Sequence, residues 1–339
     1  MGLLLSHPDL DGWVSDPAPV EFRSSMLKYL VKRLAQLVVI SFVISVLVFL
    51  LVHLLPGDPT TIILGVNATA ANRQNLLHQL GLNLPLYHQY WIWIGNVVHG
   101  NLGQSYLTHE TVAHIITTGF PIDLELIIIS QVVAFAVAIP LALITARRPN
   151  RPLDNVATTG TFGLLALPPF LLAPIFVAVF AVGLHWFPAT GYIPFTQNPA
   201  TNLHDMILPG LALTAGSIAV YYRLLRSDLI MTLQEDFITM ARSKGLSNRR
   251  IMWRQAFRPS TFSLLAVSGV NIGSLLAGTF IVEYLFAMDG LGFSIVAAVQ
   301  QRDYLVVQGI TLVVAIAYVV LQFIIDFLFT VVDPRVTRE

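Results

Sequence analysis

The sequence predicts an all-α polytopic membrane protein with six transmembrane helices and both termini on the cytoplasmic side. Two observations carry this reading. The first is where the apolar residues fall. Of 339 residues, 55% are hydrophobic and only 11% charged, and the mean hydropathy is +0.71, whereas soluble domains hold about 25% charged residues. Six runs, 34–55, 126–146, 156–182, 206–222, 259–282 and 304–325, contain no Asp, Glu, Lys or Arg. About 18 apolar residues suffice for a helix to cross the hydrocarbon core, and a soluble core does not call for six such runs. The second observation is charge placement. Six crossings from a cytoplasmic N-terminus put 17 of the 19 Lys and Arg residues inside and leave only Arg73 and Arg302 outside. Cations in short loops resist translocation and so set orientation.

Taken in order, residues 1–25 carry Asp9, Asp11, Asp16 and Glu21 against Arg23 alone, with Pro8, Pro17 and Pro19 opposing a helix. This is not the basic leader of a cleaved signal peptide, and a disordered cytoplasmic tail is expected. The transmembrane domain then occupies 26–338, with the run at 34–55 an uncleaved first span. Residues 56–123 form an outer segment long enough to hold structure. It has a polar helix candidate near 70–80 and an aromatic stretch at 86–106, in which Tyr90, Trp91 and Trp93 suit a membrane interface. Pro140, Pro168, Pro169 and Pro174 are placed to bend spans two and three. Span four has 17 residues and is expected to continue as helix beyond the membrane. The outer segments 185–205 and 283–303 follow spans three and five; the first, rich in Pro and Gly, reads as a loop.

Residues 223–258 form the largest cytoplasmic segment and hold eight of the cations. They read as two short helices. Leu233, Phe237, Met240 and Ala241 make one apolar stripe. Gly245 suits the position after a helix end, where a positive φ favours glycine. Ser247 is placed to cap a second helix bearing Met252, Trp253, Ala256 and Phe257, with Pro259 marking its end or the start of span five. A solvated, merely topogenic loop would not need apolar faces; these call for a bilayer surface or a protein to cover them, and a glycine-broken pair of short helices, having a defined shape, favours a protein.

The stretch ARSKGLSNRRI at 241–251 resembles the coupling loop of ABC-importer permeases of the dipeptide/oligopeptide group. So, in order, do LLPGDP at 54–59, LGLNLPLYHQYWIWIGNVVHGNLGQSY at 80–106, ILPGLAL at 207–213, EYLFAMDGLG at 283–292 and VDPRV at 332–336. The resemblance spans about 27–338. It implies the type I ABC importer permease fold, in the bacterial inner membrane. It also implies a transporter subunit rather than an enzyme, carrying dipeptides or oligopeptides, with nickel chelates or glutathione as alternative cargo. The implied partners are a homologous second permease, two cytoplasmic ATPase subunits and an extracytoplasmic solute-binding protein, in membrane lipid and with no nucleic acid. ATP and Mg would be bound by the ATPase partners and no cofactor by this chain. The resemblance assigns ATPase coupling to Glu235, Asp236, Phe237, Thr239, Met240, Ala241, Arg242, Lys244, Gly245 and Leu246. The wider importer pattern has Glu-Ala-Ala starting six residues before the glycine; here Thr239 and Met240 replace its first two members. A Leu-Pro pair usual after the loop is here Phe262 and Ser263.

The remaining candidates are fewer. No lysine precedes Ser or Thr, so no P-loop is present. Five of the nine histidines, His78, His88, His99, His109 and His114, lie in the first outer segment without metal-ligand spacing, and no metal site is expected. Glu125, Glu283 and Asp326 sit at span edges, where a carboxylate can reach water. Glu283 matches the family's acidic position ahead of F-x-x-x-G-L-G, which makes Glu283, Phe286, Gly290 and Gly292 candidates for the transport path or an outer gate. An ion-coupled secondary transporter would show polar or ionisable residues deep in its spans, and the sequence reads as having none. A membrane scaffold without transport is the third reading, and it requires no ATPase partner.

Overall fold

The computed structural model describes residues 19–54, 60, 64, 69–79 and 81–332. The acidic stretch 1–18, most of LLPGDP and most of VDPRV lie outside the described residues, as does the Asp326 side chain. Among the described residues the extended elements are all helical, and the one β-type pairing is an isolated bridge between Gln104 and Thr111.

Helix α1 runs from Pro19 to Leu54. Residues 19–25, read from sequence as tail, therefore belong to it. Pro19 stands at the first helical position, where its missing N–H costs nothing. Outside the membrane follow α2 (Ala70–Gln79) and α3 (Leu86–Val98). Tyr90 and Trp93 are buried against Phe49 of α1, with the Tyr90 hydroxyl 2.8 Å from that of Ser45, while Tyr87 and Trp91 stay exposed.

Helix α4 (Val112–Ala146) is followed by α5 (Pro152–Ala166) and by α6 with its wider continuation (Pro169–Gly183). Next come α7 (Pro199–Thr232), α8 (Asp236–Ser243), α9 (Asn248–Phe286), α10 (Leu291–Gln301) and α11 (Tyr304–Val332). Proline acts unevenly on these spans. Pro140 lies inside α4 without interrupting it, since other groups of a bundle can re-satisfy one freed carbonyl. At Pro168–Pro169 two successive N–H groups are missing, and Leu167 and Pro168 are extended at ψ 110° and 153°. The third run is consequently not one bent helix but two, α5 and α6, set at 101°.

The packing shows that this broken pair still traverses the bundle. One apolar cluster joins Ile122 and Leu126 of α4, Ala173 of α6, Met206 of α7 and Val282 and Phe286 of α9. Another joins Ala142 of α4, Leu225 and Leu229 of α7 and Met252 and Ala256 of α9, with Ala157 of α5 packed on it. Thus α4 and α7 run in parallel, α9 runs against them, and α5–α6 carries the chain back between them. Lipid chains are as apolar as leucine, so dispersion contacts rather than water exclusion hold such helices together. Small residues make those contacts close. The Tyr318 ring of α11 lies directly over Gly273 of α9, and Ile129 of α4 over Gly210 of α7.

Candidate functional site

The cytoplasmic segment is more ordered than a loop. Residues 223–232 complete α7, and α9 begins at Asn248. The second short helix does not stop at Pro259; it continues as the fifth span. A wider, π-type turn over Ile251–Ala256 just before the proline gives its ring room. Ser247 caps this helix, its hydroxyl accepting the Arg250 N–H at 3.4 Å. What remains between α7 and α9 is essentially α8 and its two flanking turns.

The apolar face of α8 differs from the expected stripe. Ile238 and Ala241 are buried and pack with Ile251, Leu233 and Leu246. Phe237 and Met240 point away, 43% and 57% exposed. The helix thus has two apolar faces, one spent on anchoring it to the bundle and one left open. Thr239, Arg242 and Lys244 are exposed as well, and Glu235 and Asp236 stand exposed at the helix start, where their charge favours the dipole. Glu235 makes no capping bond with its side chain. The helix end is sharply specified. Gly245 has φ +75°, its N–H donates to the Arg242 carbonyl at 2.9 Å, and the Leu246 N–H donates to the Ala241 carbonyl at 3.2 Å. These two bonds, with Leu246 folded back on the buried face, make a Schellman turn.

The bundle beneath α8 is tied by an ion pair missed in the sequence. The Arg226 guanidinium of α7 forks onto the buried Asp154 carboxylate of α5, which also accepts the Asn150 N–H at 2.8 Å and the Tyr222 hydroxyl at 3.4 Å. One of the cations that orient the loop is therefore also a fastener. Arg249, Arg250 and Arg254 rim an open basic hollow beside Trp253.

At the outer end the structure brings Glu283, Gly290 and Gly292 together with Phe286 into a closed cap. Ala287, at φ +50°, ends α9 and turns the chain back. The Glu283 carboxylate then accepts the N–H of Gly292 at 2.7 Å and of Phe293 at 3.2 Å, at the start of α10. A Cβ at Gly290 would overlap that carboxylate, and one at Gly292 would overlap the Phe280 backbone. Glu283 is 0% exposed, which corrects the expectation that it reaches water: α10 folds over it. Asp123 of α4, not singled out from sequence, is buried beside Glu283 and Thr279. Glu125 does lie partly exposed, accepting from the Tyr192 hydroxyl at 3.1 Å and the Asn202 amide at 2.9 Å. Burial and this carboxylate push the Tyr192 phenol up to about 12, so it remains a donor. A second outer clasp joins Ser105 to Asp303 at 2.5 Å, and burial followed by the Asp303 charge pushes the neighbouring Tyr106 phenol up to about 12. Among the described residues no three His, Asp or Glu side chains converge as metal ligands.

The interior also corrects the reading of polar-free spans. Asn271 of α9 donates to Ser217 at 2.7 Å and to the Tyr221 hydroxyl at 2.9 Å, both on α7. Tyr221 donates in turn to Gln131 of α4 at 2.7 Å. The chain of bonds is uncharged. Single amides among aliphatic residues drew no notice in the sequence because only the packing brings them together.

Comparison with known proteins adds to this geometry. Residues 138–338 match the family model described as binding-protein-dependent transport system inner membrane component. Residues 26–127 match the model of the N-terminal part of the same membrane component. A Brucella abortus (strain 2308) protein, provisionally named a peptide transport system permease protein, is 35% identical over 318 residues, 93% of this chain and 100% of its own length. The glutathione transport system permease protein of Escherichia coli (strain K12) is 35% identical over 311 residues, 92% of this chain and 99% of its own length.

Proposed function

Since this chain belongs to the family of inner-membrane components of binding-protein-dependent transport systems, it is the multi-pass permease subunit of an ABC importer, and we propose that its cargo is a small peptide. On this reading it forms half of the translocation path with a homologous permease. An external binding protein delivers the peptide, and two cytoplasmic ATPase subunits bind ATP and Mg and act through α8. The observation that carries the coupling role is the division of α8 into two apolar faces. Ile238 and Ala241 hold it to the bundle, while Phe237 and Met240 project from it. A push on the open face is thereby passed to α7 and α9. Two relatives of equal identity are named for peptide and for glutathione. Glutathione, itself a tripeptide, is therefore the second reading of the cargo.

The test is Gly245→Val in the reconstituted complex. Nothing lies within 4 Å of a Cβ at Gly245, so the cost is backbone strain alone, on the order of 1–2 kcal/mol at positive φ. That is small for a six-span bundle but enough to redirect α8. Assembly by copurification is expected to persist, with peptide uptake and peptide-stimulated ATP hydrolysis both lost. Wild-type uptake by an assembled variant would refute the coupling role.

A further inference from the structure

One face of α9 changes character where it enters the membrane. Arg250, Arg254 and Arg258 are exposed at four-residue spacing, and Phe262 and Ala266 continue the series as exposed apolar residues. The series two residues along, Met252, Ala256, Ser260 and Leu264, is buried throughout. Two residues are about 200° of helix turn, so the two series stand on opposite sides. A four-residue series in an α-helix drifts by about 40° per step. The wider turn over Ile251–Ala256 removes part of that drift and keeps the guanidinium groups in line. Met252, Ala256 and Leu264 belong to the cluster shared with α4 and α7, so the cationic stripe faces away from the bundle.

Its charge is unspent. Among the described residues the guanidinium groups of Arg249, Arg250, Arg254 and Arg258 have no ion-pair or hydrogen-bond partner, whereas that of Arg226 holds Asp154. Arg249, Arg250 and Arg254 rim a hollow of about 390 Å³ with Ser247 and Trp253. Trp253 is 47% exposed and meets the Phe257 ring edge-on, with centroids 5.4 Å apart. An exposed indole among arginines, just outside a charge-free run, marks the level of the headgroups. Arg258 adjoins that run and Arg250 stands about 12 Å further out along the axis, a span that long snorkelling side chains bring within the headgroup layer. Water would satisfy the cations but not the apolar continuation at Phe262 and Ala266. A second permease obeys the same orientation rule and brings cations, not anions, to this level. A phosphate with an acyl chain beneath it matches both halves of the stripe.

We propose that this stripe is a binding site for an anionic phospholipid of the cytoplasmic leaflet. Its phosphate is held at the hollow by Arg250 and Arg254, whose forked donors suit phosphate oxygens, and its acyl chain lies along Phe262 and Ala266. The lipid thereby fixes the start of the fifth span, on which α8 is seated through Ile251. The site is independent of what the cargo is.

The sequence has no cysteine, so a fluorophore on Ala266→Cys of the full chain, attached before assembly with the permease and ATPase partners, reports on acyl chains beside the stripe. In lipid discs, brominated phosphatidylglycerol is expected to quench it at about tenfold lower mole fraction than brominated phosphatidylcholine. Arg250→Gln/Arg254→Gln/Arg258→Gln is expected to abolish that preference. Arg147→Gln/Arg148→Gln/Arg151→Gln, which removes equal charge at the turn between α4 and α5, is expected to keep it. Equal quenching by the two lipids in the otherwise native chain overturns the site, whether or not the triple variants insert correctly. Equal loss in both triple variants shows a general surface field and overturns it too. A preference seen in the isolated chain but absent from the complex shows that a protein partner covers the stripe, against the proposal. Loss of the preference in inorganic phosphate, relative to chloride at the same ionic strength, shows a pocket for the free anion and also refutes the lipid.

Discussion

Glu283 looks like an ionisable residue at a span edge and behaves as a helix cap. Its carboxylate receives two N–H groups at the start of α10 while α10 shields it from water. Replacing it with alanine leaves both donors buried and unpaired, at about 1–3 kcal/mol each. Glu283→Ala is therefore expected to lower the thermal stability of the purified subunit clearly. Glu283→Gln keeps an acceptor oxygen for both donors and turns an amide towards the buried Asp123 carboxyl. It is expected to match wild type within about 1 kcal/mol. Equal melting temperatures for Ala and Gln variants would show that the cap bonds contribute nothing. Asp123 was not legible as their neighbour, since 160 residues separate the two positions in the chain.

At the scale of elements, α8 shows why periodicity alone merged two faces into one stripe, joining Leu233 and Ala241, which pack on the bundle, to Phe237 and Met240, which stay open. In the eight residues Asp236–Ser243, four are apolar, Phe237, Ile238, Met240 and Ala241. They fall into two i, i+3 pairs, and spacing gives either pair equal claim to the bundle. The surface beneath decides: Ile251 and Leu233 form a seat that Ile238 and Ala241 fill. The double variant Phe237→Ala/Met240→Ala is expected to leave stability within about 0.5 kcal/mol, as exposed substitutions do, and to weaken copurification with the ATPase subunits. Ile238→Ala should do the opposite first, losing about 2–5 kcal/mol of local packing. Hydrogen exchange at the α8 amides and ATPase recovery separate the two effects. If Ile238→Ala left exchange unchanged while the exposed pair accelerated it, the assignment of faces would be wrong. The Gly245 turn, by contrast, was legible, because few residues other than glycine tolerate positive φ.

At the scale of the whole molecule, alternation is written in the loop cations for all six crossings and again, for the four central ones, in the packing of the two end clusters. Single cysteines test it directly. Asn101→Cys, in the outer segment, is expected to react with an impermeant thiol reagent in intact cells, and Asn248→Cys, at the start of α9, only after lysis. The reverse pattern would invert the topology. The sequence by itself determined the helical class, the crossings, the orientation and the turn at Gly245. Each depends on transfer between water and lipid or on one residue's backbone, and so is set locally. Only the tertiary structure decided which face of α8 stays open, that paired prolines break the third span at 101°, that Asp154 clasps Arg226, and that Glu283 and Gln131 are buried. Those depend on what an element meets across the bundle, and contact between residues distant in the chain leaves no period or composition to be read along it.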